Sequence, residues 1–516
     1  MFKKIISIFL LGLFIMTASV FAQTEEEELP QPPTYLQPVI ATDKALEVQK
    51  STIFDASLSF LPHPDSEIKY EWNFGDGNRN EGVEVLHAYK EPGTYTITLT
   101  IDDGYNIATT ELEVFVYRKL IVLITDQTAV QERIEVIKDF AEKQGVYIKL
   151  IESFGSSTEF ISEEVLTKKL TEESVSLQKA NQIIIWTKEN AGLNALSRHI
   201  QGNRKKITTN FSQKTITVLE SNVTRNLNRI QRQFKVIKPK SIVVAKEAAI
   251  YPIIESRDEE EFINTLKKGG YEYKIITEKT GKLRPWNFMS YFVNLLINNG
   301  IPDNIIALLL LLPIIATVVA FMKQFVGVTT FGIYTPSIIT LSFLVIGMHA
   351  GLLTLSAAII IGGLVRSLLR KVRMLFIPRM AVVITIVSLA LFLIIIASVY
   401  LGLFNAEFLS IAIFPMLILT TLVEKFVSVK TEKGLSSAST LMLSTVFVAI
   451  IAYFIAGGEI DLGFVSFKLE YIKNLIMAYP EIVLLLIIIN ILLGKWSGLR
   501  ILERIRFREV LRHIEE

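Results

Sequence analysis

The sequence predicts a multi-domain fold: an all-β segment, then an α/β segment with a parallel sheet, then a seven-helix transmembrane bundle. Three observations carry this. Short alternating strands run from about Leu46, strands alternating with helices follow from Leu120, and the chain is almost continuously apolar from Ile301 to Gly494.

The apolar region is the most informative. A run of about 18 or more apolar residues can cross roughly 30 Å of hydrocarbon as a helix. Seven stretches qualify or nearly do: Ile301 to Met322, Phe331 to Met348, Gly351 to Leu369, Pro378 to Leu401, Ala406 to Val423, Ala438 to Ala456 and Leu475 to Gly494. Lys323, Arg366, Arg370, Lys371, Arg373, Arg379, Lys425, Lys430, Lys433 and the basic tail from Lys495 to Arg512 all fall on alternate loops. The opposite loops carry little beyond Lys468 and Lys473. Lys and Arg in short loops stay cytoplasmic, so the C-terminus is expected inside and the residues before Ile301 outside.

The N-terminus agrees. Lys3-Lys4, the apolar run Ile5 to Phe14 and Val20-Phe21-Ala22 read as a secretory signal over residues 1–22, with cleavage expected after Ala22. Glu25 to Glu28 and the Pro-rich Pro30 to Pro38 then bury little, so residues 23–36 are expected to form an extended tether.

The 516 residues, 50% of them hydrophobic, leave room for a membrane domain and two further domains, and a net charge of +2 does not suggest a nucleic-acid partner. With no cysteine, structural disulfides, thiolate metal sites and cysteine nucleophiles are excluded. The extramembrane domains must be held by core packing.

In the β segment, Trp72 and Phe74 are expected on one face of a strand. Gly75-Asp76-Gly77 supplies the positive φ values of a tight turn, and Tyr95, Ile97, Leu99 and Ile101 alternate inward on a partner strand. The blocks Tyr70 to Gly77, His87-Ala88-Tyr89 and Gly93 to Gly104, with Phe54-Asp55-Ala56-Ser57 before them, resemble the signature of the polycystic kidney disease (PKD) domain over about Gln37 to Tyr117. That resemblance implies an immunoglobulin-like β-sandwich serving as a spacer or adhesion module. Asn73 stands where the family usually has Asp. Trp72, Asp76 and His87 read as buried core, turn residue and strand-edge hydrogen bond.

Residues 118–280 alternate apolar strands (Leu120 to Thr125, Val146 to Ile151, Gln182 to Thr187, Thr215 to Leu219, Ser241 to Ala245, Tyr271 to Ile276) with helices (Ala129 to Lys143, Glu159 to Leu177, Asn222 to Phe234, Arg257 to Lys268). This predicts a parallel sheet with helices on both faces. Ligands bind such sheets at the C-terminal strand ends, so Thr125-Asp126, Ser153 to Ser157 and Thr187-Lys188 are the places to look. No dinucleotide fingerprint, Walker loop or nucleophile elbow occurs there. Gly155 to Thr158 serves equally as an N-cap and turn, and Asp126 reads as a charge at a helix N-terminus.

Residues 281–300, with Trp286, Phe288, Tyr291, Phe292, Leu295 and Leu296, are expected to form an interfacial helix lying on the lipid bilayer. The tail Leu499 to Ile514 reads as a basic helix on the inner leaflet.

The second span opens on Val328 to Ser337, where Gly332 and Pro336 oppose a regular helix. Two readings stand: a broken segment lining a cavity, or a proline in an ordinary first turn. The candidate membrane site is Thr330, Phe331, Gly332, Thr335, Pro336 and Glu424, with Glu424 read as a structural clamp to Arg379. The stretch around Thr330 to Pro336, with Ile377-Pro378-Arg379, Phe414-Pro415 and Thr420 to Phe426, looks like the seven-transmembrane domain usually fused to an inactive transglutaminase in bacterial envelope proteins, over about Pro302 to Arg508. The transglutaminase-like part is replaced here by the two domains above.

Together these readings predict a multi-pass protein of the bacterial inner membrane, with extracytoplasmic N-terminal domains and a cytoplasmic C-terminus. It would present its ectodomains to an envelope protein or polysaccharide. The alternative is a transporter or signal-transducing receptor built on the seven-helix core. An enzyme has least support, because no nucleophile, base and oxyanion donors can be named together, and no cofactor or metal is indicated.

Overall fold

Trp72 on a strand and Phe74 just past its end are two residues apart and both turn inward, each 1% exposed. The structure, a computed structural model, describes residues 35–62, 67–127, 131–156, 158–202, 211–224, 226–277, 288–298, 301–369, 375–400, 406–461, 466–468, 470–496, 498 and 500–506. The signal segment, Trp286 and the end of the basic tail lie outside them.

The first unit contains strands β1 (Ala45–Glu47), β2 (Thr52–Asp55), β3 (Lys69–Asn73), β4 (Arg79–Glu81), β5 (Glu84–His87), β6 (Gly93–Asp102) and β7 (Ile107–Tyr117). One sheet has the order β1-β7-β6-β3-β4, and β2 pairs with β5 in a separate ribbon. Trp72 stands opposite Leu99 in the β3–β6 register. Phe54 of the ribbon packs edge-on against Phe74 at 5.1 Å between ring centroids, so the two layers close on one aromatic core. Trp72 Nε1 donates to the Gly82 carbonyl (2.8 Å), and the Tyr89 hydroxyl donates to the Phe74 carbonyl (3.0 Å). Gly75 has φ 75°, and a Cβ there would lie 2.7 Å from the Thr96 carbonyl oxygen. Asp76 and His87 meet at 2.8 Å beside that turn, and the His87 ring stacks on Phe74.

The second unit begins with β8 (Lys119–Thr125), α1 (Gln131–Lys143), β9 (Val146–Glu152), α2 (Glu159–Glu172), α3 (Ser174–Lys179), β10 (Gln182–Trp186), α4 (Ala191–Gly202), β11 (Thr215–Leu219), α5 (Leu227–Ile237), β12 (Ser241–Ala245), α6 (Ile250–Glu255), α7 (Glu259–Lys268) and β13 (Tyr273–Ile276). The sheet order is β13-β12-β11-β10-β8-β9. β8, β10, β11 and β12 run parallel, and every residue of β10, β11 and β12 is buried, as uninterrupted apolar runs require. Two features differ from the sequence expectation. β13 is antiparallel to β12, which makes the sheet mixed, and α4 fills a stretch with no predicted helix.

The same unit continues into α8 (Phe288–Asn298), α9 (Asp303–Phe321), α10 (Tyr334–Ile346), α11 (Met348–Leu369), α12 (Phe376–Tyr400), α13 (Ala406–Ile455), the hairpin β14 (Glu459–Asp461) and β15 (Ser466–Lys468), α14 (Glu470–Ala478), α15 (Ile482–Gly494) and α16 (Ile501–Arg506). Gly434, at φ 85° and ψ 170°, divides α13 into two arms, which are the fifth and sixth expected spans. Among the described residues, Asp303–Val326, Met348–Leu369 and Lys425–Ile455 are long and apolar enough to cross a membrane. Two expected spans are shorter than predicted. The second is helical only over Tyr334–Ile346, and the seventh is interrupted at Tyr479 to Glu481, so that α14 is separate from α15. Pro480 cannot donate into a continuous ladder, which accounts for the second interruption.

Candidate functional site

The C-terminal strand ends of the mixed sheet hold the residues the sequence singled out. Ser153 donates its backbone N–H to the Thr125 carbonyl (3.0 Å), so the ends of β9 and β8 lie side by side. Asp126 accepts from the Lys188 N–H (2.7 Å) and from the Ser162 hydroxyl (3.3 Å). It therefore acts as a latch across β8, β10 and α2. Burial pushes its carboxyl up to about 7. Gly155 turns the chain at φ 77°, and Thr158 caps α2 while donating its hydroxyl to the Val345 carbonyl at the end of α10 (2.7 Å). Ser157 lies outside the described residues.

Beside this latch lies a buried ion network that sequence reasoning missed. Arg229 of α5 reaches Glu159 at 3.3 Å, Asp303 at 3.1 Å and Glu189 at 3.6 Å. Lys473 of α14 donates to Glu189 at 2.7 Å and also to Glu159. On α2 and α4, Glu163 meets Arg198 at 3.3 Å, and Asn194 receives a hydrogen bond from Gln233 at 2.8 Å. Asp303 opens the first apolar span and Lys473 precedes the last, so the network joins the sheet's covering helices to the membrane helices. Lys188 also pairs with Glu459 at 3.5 Å, and Gln201 donates to the Ile297 carbonyl at 2.6 Å. An apolar core runs through the same seam, where Ile161, Val165 and Val236 are buried with Val293, Ile297 and Ile306.

Local sequence explains how these groups are aimed. Glu159 and Glu163, four apart on α2, share one helix face. Glu189 sits at φ 51°, a left-handed conformation costing roughly 1 to 3 kcal/mol in a residue other than glycine, and the backbone is held there while its carboxylate engages both cations. Burial, with Glu189 next in importance, raises the Glu159 carboxyl above its ordinary range, and burial pushes Glu163 up to about 8 despite Arg198. Burial opposes the Arg229 charge, but Glu159, Asp303 and Glu189 outweigh it and hold its pKa above the usual value. Two signals were available in the sequence: a lone Asp303 at the head of an apolar span, and Lys473 on the side where positive charge is scarce.

At the start of the second span, α9 passes through a π-helical turn (Met322–Val326) that ends at Gly327, with φ 94°. Gly332 follows at φ 81°, and a Cβ there would meet nothing within 4 Å, so glycine is needed for its conformation and not for close approach. Pro336 lies in the first turn of α10, where its missing N–H costs no ladder bond. Thr330 donates to the Gly332 carbonyl (2.7 Å), Thr335 to the Phe331 carbonyl (2.7 Å), and the Phe331 N–H donates to Thr445 (3.1 Å). Lys425 donates to Thr335 at 2.8 Å. Five of the six candidate residues thus lie together at the start of α10, where Thr445 and Lys425, which the sequence had not marked, tie Phe331 and Thr335 to the two arms of α13. The Glu424 side chain, and with it the clamp to Arg379, lies outside the described residues.

These features define a multi-pass membrane protein with a β-sandwich and an α/β domain ahead of its helices. Residues 277–511 match the family described as seven transmembrane helices usually fused to an inactive transglutaminase, and residues 36–116 match the PKD domain. The chain thus carries an N-terminal PKD domain and a C-terminal seven-transmembrane domain. Collagenase ColA of Clostridium perfringens is 36% identical over 74 residues, 14% of this chain and 6% of that protein. Collagenase ColA of Bacillus cereus is 49% identical over 37 residues, 7% of this chain and 4% of that protein. The chain therefore spans a small fraction of these relatives. Among solved structures, the PKD domain of the human VPS10 domain-containing receptor SorCS2 is 23% identical, covering 17% of this chain and 76% of that one, with a TM-score of 0.14. A sialyltransferase from Photobacterium damsela is 13% identical, covering 36% and 44%, with a TM-score of 0.16.

Proposed function

We propose that this is a non-enzymatic protein of the bacterial inner membrane, whose helices form a platform for two extracytoplasmic domains that engage an envelope protein or glycan. The observation that carries the reading is the Arg229–Asp303 and Lys473–Glu189 network. It occupies much of the strand-end edge where a doubly wound enzyme holds its substrate, and uses that edge to mount the domain. The points of attachment support the orientation. Asp303, Val345, Glu459 and Lys473 belong to the loop side poor in Lys and Arg, opposite Lys323, Lys433 and Lys495. On the PKD domain, Ile53 and Leu86 stand opposite each other on the β2–β5 ribbon at 58% and 63% exposure, an apolar pair suited to a partner.

Photo-crosslinkers at Leu86 and Tyr105, introduced in intact cells, test the reading. Specific capture of an envelope protein or glycan is expected. Capture of cytoplasmic proteins alone, or none above an unreactive control, sinks it.

A further inference from the structure

The helix that leads into the first membrane span is built inside out. On α8, Phe288, Tyr291, Phe292 and Leu295 recur at helical spacing and are 44 to 55% exposed, whereas Ser290 and Asn294 on the opposite face are 4% and 7% exposed. A helix on a water-facing surface does the reverse, turning its polar residues out and its apolar stripe in. No residue of α8 carries a charge that would hold the exposed face in water.

The inner face is fixed to the protein. Val293 and Ile297 are buried in the core that includes Val236 of α5, Gln201 of α4 donates to the Ile297 carbonyl at 2.6 Å, and Glu481 accepts from the Ser290 N–H at 3.1 Å. The aromatic stripe cannot turn inward without breaking these contacts. What covers it follows from continuity with the first span. The Ile301 N–H donates to the Leu296 carbonyl at 3.1 Å, so α8 passes into α9 through a tight junction, and Ile301, Ile305, Leu309 and Leu312 carry the exposed apolar surface onward at 36 to 65%. Asp303–Val326 is long and apolar enough to cross a membrane, so that surface meets hydrocarbon. An apolar stripe that continues from the span onto the helix before it meets the same bilayer, in the boundary region where aromatic rings are favoured.

We propose that the outer face of α8 is seated in the lipid leaflet on the side of the α/β domain, with Phe288, Tyr291, Phe292 and Leu295 in contact with lipid. The bilayer itself then holds the domain at this edge. The inference rests on the platform reading above and adds a second, lipid-borne mount to the ion network.

The chain contains no cysteine, so single cysteines can be spin-labelled in the full chain without removing native ones. Tyr291→Cys and Phe292→Cys, reconstituted in vesicles of phosphatidylethanolamine and phosphatidylglycerol, are compared with Leu309→Cys as the lipid reference and with Val136→Cys, 61% exposed on α1, as the water reference. Each variant is first checked for an unchanged melting temperature in detergent. Collisions with oxygen, which concentrates in hydrocarbon, and with a charged nickel chelate, which is excluded from it, are then read from the spectra. Both α8 labels should follow Leu309→Cys, with nickel collisions about tenfold or more below those at Val136→Cys. Water-like values at Tyr291→Cys and Phe292→Cys overturn the proposal. Shielding from both probes overturns it too, since protein, such as a second copy of this chain, then covers the stripe. If the labels are not lipid-like while crosslinking still captures an envelope partner, the lipid seat falls and the platform reading stands. Lipid-like labels without a captured partner have the converse meaning.

Discussion

Arg229 donates to Asp303 at 3.1 Å, tying a helix of the α/β domain to the first turn of the first membrane helix, and both side chains are about 2 to 3% exposed. Replacing such a pair with apolar groups of similar shape can be neutral, but removing one partner strands a buried charge. Among the described residues, Arg229 faces three carboxylates and Asp303 one cation within ion-pair distance, so the two changes are unequal.

Arg229→Met should therefore destabilise the folded chain by about 3 to 5 kcal/mol, and Asp303→Asn by less. Adding Glu159→Gln to Arg229→Met should recover part of the loss by removing one stranded charge. Thermal melting of the purified chain in detergent measures this. An unchanged midpoint in Arg229→Met would remove the network from any role in holding the seam.

The pH response follows from Glu163. Its carboxyl is raised from 4.5 to about 8, chiefly by burial, with Arg198 opposing and Glu159 and Asp303 adding to the rise. The native state then holds a proton that the unfolded state releases, so the contribution is complete below about 4.5 and is lost as pH rises through about 8. Glu163→Gln should flatten the fall in melting temperature over this window and melt higher than the parent above it. Parallel pH profiles for the two proteins would disprove the assignment.

Much of the fold was legible because it is written in local patterns. The Trp72 to Gly77 turn and the inward alternation of Ile97, Leu99 and Ile101 need only a few residues to be seen, and the buried strands read as apolar runs. α4 went unpredicted although Asn194, Arg198 and Gln201 recur at helical spacing between apolar residues, so its period was there to be read. Asp303 and Lys473 stood out singly, but their pairing in the ion network was illegible. Lys473 and Glu159 are 314 residues apart, so no spacing rule links them until the chain folds. The loss of a continuous seventh span, by contrast, could have been anticipated at Pro480.

In the PKD domain, Trp72→Ala should cost about 3 to 5 kcal/mol, since a ring packed at 6.2 Å from both Phe54 and Phe74 leaves a cavity. Asn73→Asp should be mild, because either side chain can accept from the Gly75 N–H, as Asn73 does at 3.1 Å. Melting of a fragment spanning residues 23–119 reads both. If Trp72→Ala melts like the parent, Trp72 is no core residue and becomes a candidate for ligand stacking.

Reporter fusions test the membrane orientation directly. Fusions after Arg373 and Lys433 should report cytoplasm, and fusions after Gly402 and Glu459 the opposite side, because Lys and Arg gather on the first pair of loops. A cytoplasmic reading at Glu459 would also put the Lys188–Glu459 pair, and with it the α/β domain, on the inner side.

The start of the second span separates a platform from a transporter. Gly332 is needed for a left-handed backbone in open space, so Gly332→Ala should cost about 1 to 2 kcal/mol through conformation alone. Pro336→Ala should cost less than about 1 kcal/mol, since a first-turn proline contributes mainly by stiffening the unfolded chain. Thr335→Val removes the acceptor for Lys425 at 2.8 Å and should cost about 0.6 kcal/mol, as interhelical hydrogen bonds in membranes do on average. If the segment is only a support, each variant lowers stability by these modest amounts and leaves the cellular phenotype in place. If it lines a transport path, the variants reach the membrane at normal levels and the phenotype disappears. The hydrogen bonds favour the first outcome, because Thr330, Thr335, Phe331 and Thr445 are already engaged with one another, the neighbouring backbone or Lys425. Normal membrane levels with complete loss of phenotype in Gly332→Ala would decide for transport.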